Sequence, residues 1–162
     1  MSTDTFGNLQ DWGRVMDQIA KLRRSKKLDQ HQEGLTRLLR YRGNWRLREA
    51  ALEAAREVSS PTDALLSQVL AVMMDEGVYW QARVLAAETL SQLIQKPGRK
   101  VPVISAARAV KKMNRLLRTP QAPVFHESIR KFLQAVEKTR GIRARPSRQA
   151  GRPIVQQQGG LA

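Results

Sequence analysis

The chain contains no cysteine, which excludes disulfide scaffolds, thiolate zinc sites and cysteine nucleophiles. Its two histidines, His31 and His126, lie far apart and in no cluster with metal-ligand spacing. Aromatic residues make up only 5%. The longest unbroken apolar run, Val69 to Met74, is far short of a membrane span. The start, Met1-Ser2-Thr3-Asp4-Thr5, has neither the basic-plus-apolar character of a signal peptide nor the glycine that N-myristoylation requires. A soluble, cytoplasmic chain that does not engage membrane is the expectation. Gly98-Arg99-Lys100 lacks the first glycine and the Ser/Thr of a P-loop. Asp75-Glu76 reads as a solvated turn at a helix end. No catalytic constellation, metal site, cofactor motif or small-molecule site emerges, so binding is expected rather than catalysis.

Acid is scarce in one half only. Residues 1–88 carry thirteen Lys+Arg and twelve Asp+Glu, whereas residues 89–162 carry sixteen and two. No Asp or Glu occurs between Glu88 and Glu127. The formal net charge of +15 therefore resides almost entirely in the second half, and it implies an anionic partner. With 162 residues and 41% hydrophobic composition, the chain suits one domain with a packed core.

Periodicity predicts helix almost throughout residues 9–139. Leu9, Trp12, Val15, Met16, Ile19 and Leu22 recur at three- and four-residue steps and define a capping helix over 9–24. It ends in Arg23-Arg24-Ser25-Lys26-Lys27, cations that suit the negative end of a helix dipole. Asp29 and Gln32 resemble a capping box before Leu35, Leu38 and Leu39. Gly43-Asn44 ends that helix, and Asn44 can cap the next, from Trp45 to about Val58. Ser60, Pro61 and Asp63 read as N-cap, first helical residue and supporting carboxylate of a helix that stops near Gly77. A helix from Val78 or Tyr79 to Gln95, a loop over 96–102, and helices over 103–118 and 123–139 follow. From Arg140 periodicity vanishes, and a disordered Gly/Pro/Arg/Gln tail is expected over 140–162.

Two of these helices match. Trp45-x-x-Arg48-x-x-Ala51-x-Glu53 aligns with Trp80-x-x-Arg83-x-x-Ala86-x-Glu88 at an offset of 35 residues, and Leu35, Leu38 and Leu39 fall opposite Leu70, Met73 and Met74. The aromatic-then-Arg start and the small-residue second helix resemble the HEAT-like repeat family, including its bacterial members. The resemblance implies an all-α fold: a short α-α superhelix with repeats at 29–58 and 61–95 and a degenerate basic pair at 103–139. In that pair Phe125 stands in place of Trp, and the Arg-Ala-Glu spacing is lost. Ala50, Ala51, Ala54, Ala55, Ala82, Ala86 and Ala87 permit close helix approach. Trp45 and Trp80 read first as core aromatics wedged between pairs, with a base-stacking surface as the alternative. Arg48 and Arg83 are expected to bond acidic neighbours or helix-end carbonyls. The family also includes alkylpurine DNA glycosylases and bilin lyases. The catalytic Asp of the former matches no position here, and nothing points to a chromophore.

The helix over 103–118 carries the functional expectation. Val103, Ala106, Ala107, Val110, Met113 and Leu117 gather on one arc, and Arg108, Lys111, Lys112, Arg115 and Arg118 on the opposite one, about 120° wide. Arg99 and Lys100 precede it. A solvated face is the ordinary explanation of a charged stripe, but such faces usually mix signs. Like charges at i,i+3 and i,i+4 cost about 0.2–0.5 kcal/mol per pair. Acidic side chains from elsewhere could cover the stripe, Glu127 and Glu137 being the nearest in sequence. Otherwise it suits phosphates: five contacts would give a logarithmic salt slope of about −4 to −5 on duplex DNA. The tail adds Arg140, Arg143, Arg145, Arg148 and Arg152. Within it Gly151-Arg152-Pro153 is similar to the core of minor-groove AT-hook arms, with Ala150 where that core has Arg. No motif for reading base edges is present. The partner expected is nucleic acid, DNA or RNA, or else an acidic protein surface bound by an adaptor.

Overall fold

The computed structural model describes residues 4–96 and 103–144, without the side chains of 103–106 and 141–144. Among the described residues all regular structure is helical: α1 (Trp12–Arg24), α2 (Gln32–Arg40), α3 (Trp45–Ala55), α4 (Asp63–Met74), α5 (Trp80–Ile94), α6 (Val103–Leu116) and α7 (Pro123–Ala144), with one 3-10 turn at Leu28–His31. The fold is all-α. No helix of the described residues is long and apolar enough to cross a membrane.

Most helix ends follow local chemistry. Lys26 takes a left-handed backbone (φ 54°) just past α1, and the amide of Lys27 bonds back to the Leu22 carbonyl at 3.0 Å, which stops the helix. The Asn44 side chain accepts from the amide of Arg46 at 2.9 Å and caps α3. Two expected starts are corrected. The N-cap of α4 is Thr62, whose hydroxyl accepts from Leu65, so α4 begins two residues beyond Pro61. Asp29 and Gln32 form no local capping box. The Asp29 carboxylate takes the amides of Ser59 and Ser60, and Gln32 donates to the carbonyls of Asp29 and Ser60 while accepting from Thr62. Both side chains thus tie the start of α2 to the start of α4 and leave no buried amide orphaned. At the other end of the chain α7 continues to Ala144, five residues past the expected boundary. Arg143 is therefore helical rather than part of a tail.

Consecutive helices alternate between two layers. α2 packs on α4 and α4 on α6; α1 packs on α3, α3 on α5 and α5 on α7; each helix of the first layer also packs on its successor in the second. Helices of the second layer run parallel. Arg23, at the end of α1, meets Glu57, just past α3 (2.6 Å). Tyr79 and Trp45, at the starts of α5 and α3, are in edge contact (ring centroids 5.9 Å). Thr139, late in α7, donates to the Ile94 carbonyl at the end of α5 (3.5 Å). The buried alanines Ala51, Ala54, Ala55, Ala82, Ala86 and Ala87 lie on the close-packed α3 and α5. Around them Leu35, Leu38, Leu47, Leu52, Leu65, Met73, Leu93 and Phe125 fill a core that runs continuously through to α7.

Residues 4–10 close the α2 end. Phe6 is buried against Gly34, where a Cβ would lie 2.6 Å from its ring. Thr5 and His31 share a 2.7 Å hydrogen bond, and Arg37 pairs with Asp4 and donates to the Gly7 carbonyl.

Candidate anion-binding face

α6 exists because Ala109, Met113 and Leu116 are buried, with Val110 and Leu117 half-buried beside them, against α4 and α7. This inward arc is turned by about 50° from the expected one. Ala107, assigned to the core from the sequence, is exposed. The turn decides which cations are presented. Arg108, Lys111 and Arg115 are exposed on the arc directly opposite the buried one, about 60° wide, and Arg118, expected as helical, is exposed in the turn just past the end of α6. None forms an ion pair with any described residue. The two nearby carboxylates do not cover them: Glu127 lies 3.9 Å from Arg130 and from Lys131 on its own helix, and Glu137 points to solvent.

Lys112 does not belong with the other four. It sits on the flank toward α4, half-buried, and its ammonium donates to the Met74 carbonyl at 3.0 Å. That carbonyl is one of those left open where α4 ends, so Lys112 serves as a helix cap from a neighbouring segment. Arg99, Lys100, Arg145, Arg148 and Arg152 lie outside the described residues, as do the loop beyond Lys96 and the AT-hook-like segment. Of Arg143 only the helical backbone is described.

The second feature is aromatic, and it corrects a core assignment. Trp45 and Trp80 are 53% and 43% exposed, and Trp12 is 50% exposed. Each is the first residue of its helix, α3, α5 and α1 respectively. Phe125, taken as their counterpart, is fully buried and stands third in α7, while its neighbour Val124 is exposed. The side chain stacked on Phe125 is Arg83, whose guanidinium carbon lies 4.4 Å from the ring centre. Its Nε donates to the Met73 carbonyl at 3.0 Å, and one terminal nitrogen is buried with no partner. Burial lowers its pKa from the ordinary arginine value. Arg48 makes the matching contact in the preceding helix pair, donating to the Tyr41 carbonyl at 3.0 Å. Both arginines therefore satisfy carbonyls at first-layer helix ends from the next helix, as the sequence suggests.

These contacts place an aromatic cluster where the first-layer helices end and the second-layer helices begin. Tyr79 donates to Glu49 at 2.5 Å, and partial desolvation together with that carboxylate raises the phenol above its ordinary pKa. Arg46 lies over the Trp45 ring at 5.3 Å. Arg42 bonds Asp75 at 2.8 Å. The amide of Gly77 does most to hold Asp75 below the usual carboxylate range, with Arg42 assisting against a small burial effect. His126 bonds the carbonyls of Leu116 and Thr119 at 3.2 and 3.0 Å, and so fixes the end of α6 against the start of α7. The C-terminal end of the cationic stripe, Arg115 and Arg118, is thereby brought to this same edge.

A cleft of about 710 Å³ lies elsewhere, between residues 4–5 and α2, and four of its polar lining residues pair with one another as Thr5–His31 and Asp4–Arg37. No group of described His, Asp or Glu residues could hold a metal ion. No protein-family model, curated protein or solved structure matches the chain.

Proposed function

We propose that the chain is a non-catalytic, HEAT-like α-α superhelix that binds nucleic acid through phosphate contacts without reading sequence. The alternation of two helical layers and the matched Trp45/Arg48 and Trp80/Arg83 helices support the architectural part. The functional part rests on one observation. Arg108, Lys111, Arg115 and Arg118 stand together, exposed and without a carboxylate, on a face whose like charges repel one another. A phosphate backbone is the complement of such a face, since it neutralises the cations while releasing counterions. α1–α5 act as the rigid support, and the remaining basic residues of the second half raise affinity for any polyanion.

Changing Arg108, Lys111, Arg115 and Arg118 together to Gln tests the reading. With four phosphate contacts the native chain gives a logarithmic salt slope of about −3.6 on duplex DNA, and the variant loses most of that slope with at least about tenfold of the affinity. The variant melts at the native temperature or slightly above, because the like-charge pairs Arg108–Lys111, Lys111–Arg115 and Arg115–Arg118 are gone. Native-like nucleic-acid binding by the folded variant rejects the assignment. Strong binding of an acidic peptide, with no nucleic-acid affinity at physiological salt, would instead identify an adaptor for an acidic protein.

A further inference from the structure

We propose that the edge carrying Trp45, Tyr79 and Trp80 is a stacking platform for unpaired bases, so that the preferred ligand is single-stranded nucleic acid. The inference rests on the nucleic-acid reading above and names the substrate class.

The aromatic placement is systematic. The second-layer helices are parallel, and each of the first three opens with an exposed indole, Trp12, Trp45 or Trp80, so their starts share one edge. Neighbouring packed helices are about 8–10 Å apart, which sets the spacing of the row. Tyr79 bridges part of that gap with its edge contact to Trp45. Soluble proteins bury indoles where the fold permits it, and here alanines occupy the inner positions of α3 and α5 while the large rings face water.

Charge decides what such a row suits. At this edge Arg42, Arg46, Arg48, Lys112, Arg115 and Arg118 meet three carboxylates, and two of those are engaged: Glu49 by Tyr79 and Asp75 by Arg42. Glu76 is exposed. Arg46, Arg115 and Arg118 have no ion-pair partner among the described residues. A cleft of about 230 Å³ between the ends of α2 and α4 is lined by Arg40, Arg42 and Arg48 together with Asp75, and the Nε of Arg48 has no hydrogen-bond partner. Aromatic faces interleaved with unpaired arginines match a ligand that alternates flat π-systems with phosphates. A duplex hides its base faces within its own stack and can use the cations but not the indoles. A single strand can use both.

The test compares a labelled oligothymidylate with a duplex of equal length, using the full chain. Trp45→Ala and Trp80→Ala are each expected to weaken oligothymidylate binding about tenfold, Trp45→Phe and Trp80→Phe much less, and duplex binding is expected to change less than twofold. A readout free of substitution accompanies them. Oligothymidylate shields the native tryptophan fluorescence from acrylamide, whereas the duplex leaves it accessible. Unchanged oligothymidylate affinity in both Ala variants, or unchanged acrylamide quenching on saturation, overturns the platform. If the four-Gln variant still loses duplex binding, the phosphate reading survives that result. Absence of binding to either nucleic acid removes both.

Discussion

Cations in α1–α5 and cations on α6 do different work. Arg23, Arg37, Arg42 and Arg56 each meet a carboxylate from a distant segment: Glu57, Asp4, Asp75 and Glu88. The two members of every such pair stand 32–34 residues apart. Three of them join neighbouring helices of one layer, and Arg37 ties α2 to the segment before α1. Arg108, Lys111, Arg115 and Arg118 meet no acid among the described residues, and Glu76 is left to solvent. Lys112 makes an inter-helix bond all the same, to a carbonyl. An arginine becomes adhesive or available according to what the adjacent helix offers, rather than by any property of its own.

That contrast can be broken by removing cations and carboxylates in the first half. The largest effect is expected at Arg83, where Ala removes a buried side chain stacked on Phe125 and leaves the Met73 carbonyl unsatisfied. A loss of about 3 kcal/mol in denaturant titration is expected. If Arg83→Ala melts like the native chain, the structural role of the cations in α1–α5 is wrong.

Asp29 gives a smaller, pH-dependent effect. Burial raises its pKa, but the backbone amides of Ser60 and Ser59 outweigh that and hold it below the ordinary carboxylate value. A carboxylate depressed in the folded state stabilises above the unfolded pKa, and the contribution fades as pH falls through the folded one. Asp29→Ala should therefore cost about 1 kcal/mol at neutral pH, and the gap from native should shrink below about pH 4. A gap that stays constant down to acid-induced unfolding would show that the charge of Asp29 is irrelevant. Glu57→Gln, which breaks an exposed pair with Arg23, should shift stability by less than about 0.5 kcal/mol. A larger cost there would mean that exposed pairs, and not carbonyl contacts, join the helices.

The all-helical character, the seven helix positions and the cationic identity of α6 were legible from periodicity, from Asn44 and from the missing acids. Three readings failed for a shared reason. Trp12, Trp45 and Trp80 fit an apolar pattern by type, yet exposure depends on which neighbour covers a helix start, and among the described residues these stay about half exposed. Ala107 fits the inward arc of an isolated wheel, but contact with α4 and α7 together turned α6 so that Ala109 and Leu116 went in. Asp29 and Gln32 have capping-box spacing, but the Ser59–Thr62 segment offered more unsatisfied backbone groups than their own helix. The aromatic edge had one sequence signal: tryptophan at or beside the expected start of two alternate helices, Trp45 and Trp80.

The order of residues alone determined where the chain turns helical and where positive charge accumulates, because periodicity, end-capping and charge are local properties. The rotation of α6, the diversion of Lys112 to an α4 carbonyl and the exposure of the tryptophans were decided only when the layers met. Burial and ion pairing are set by what lies across an interface, and many of the residues facing one another there are more than thirty positions apart in sequence.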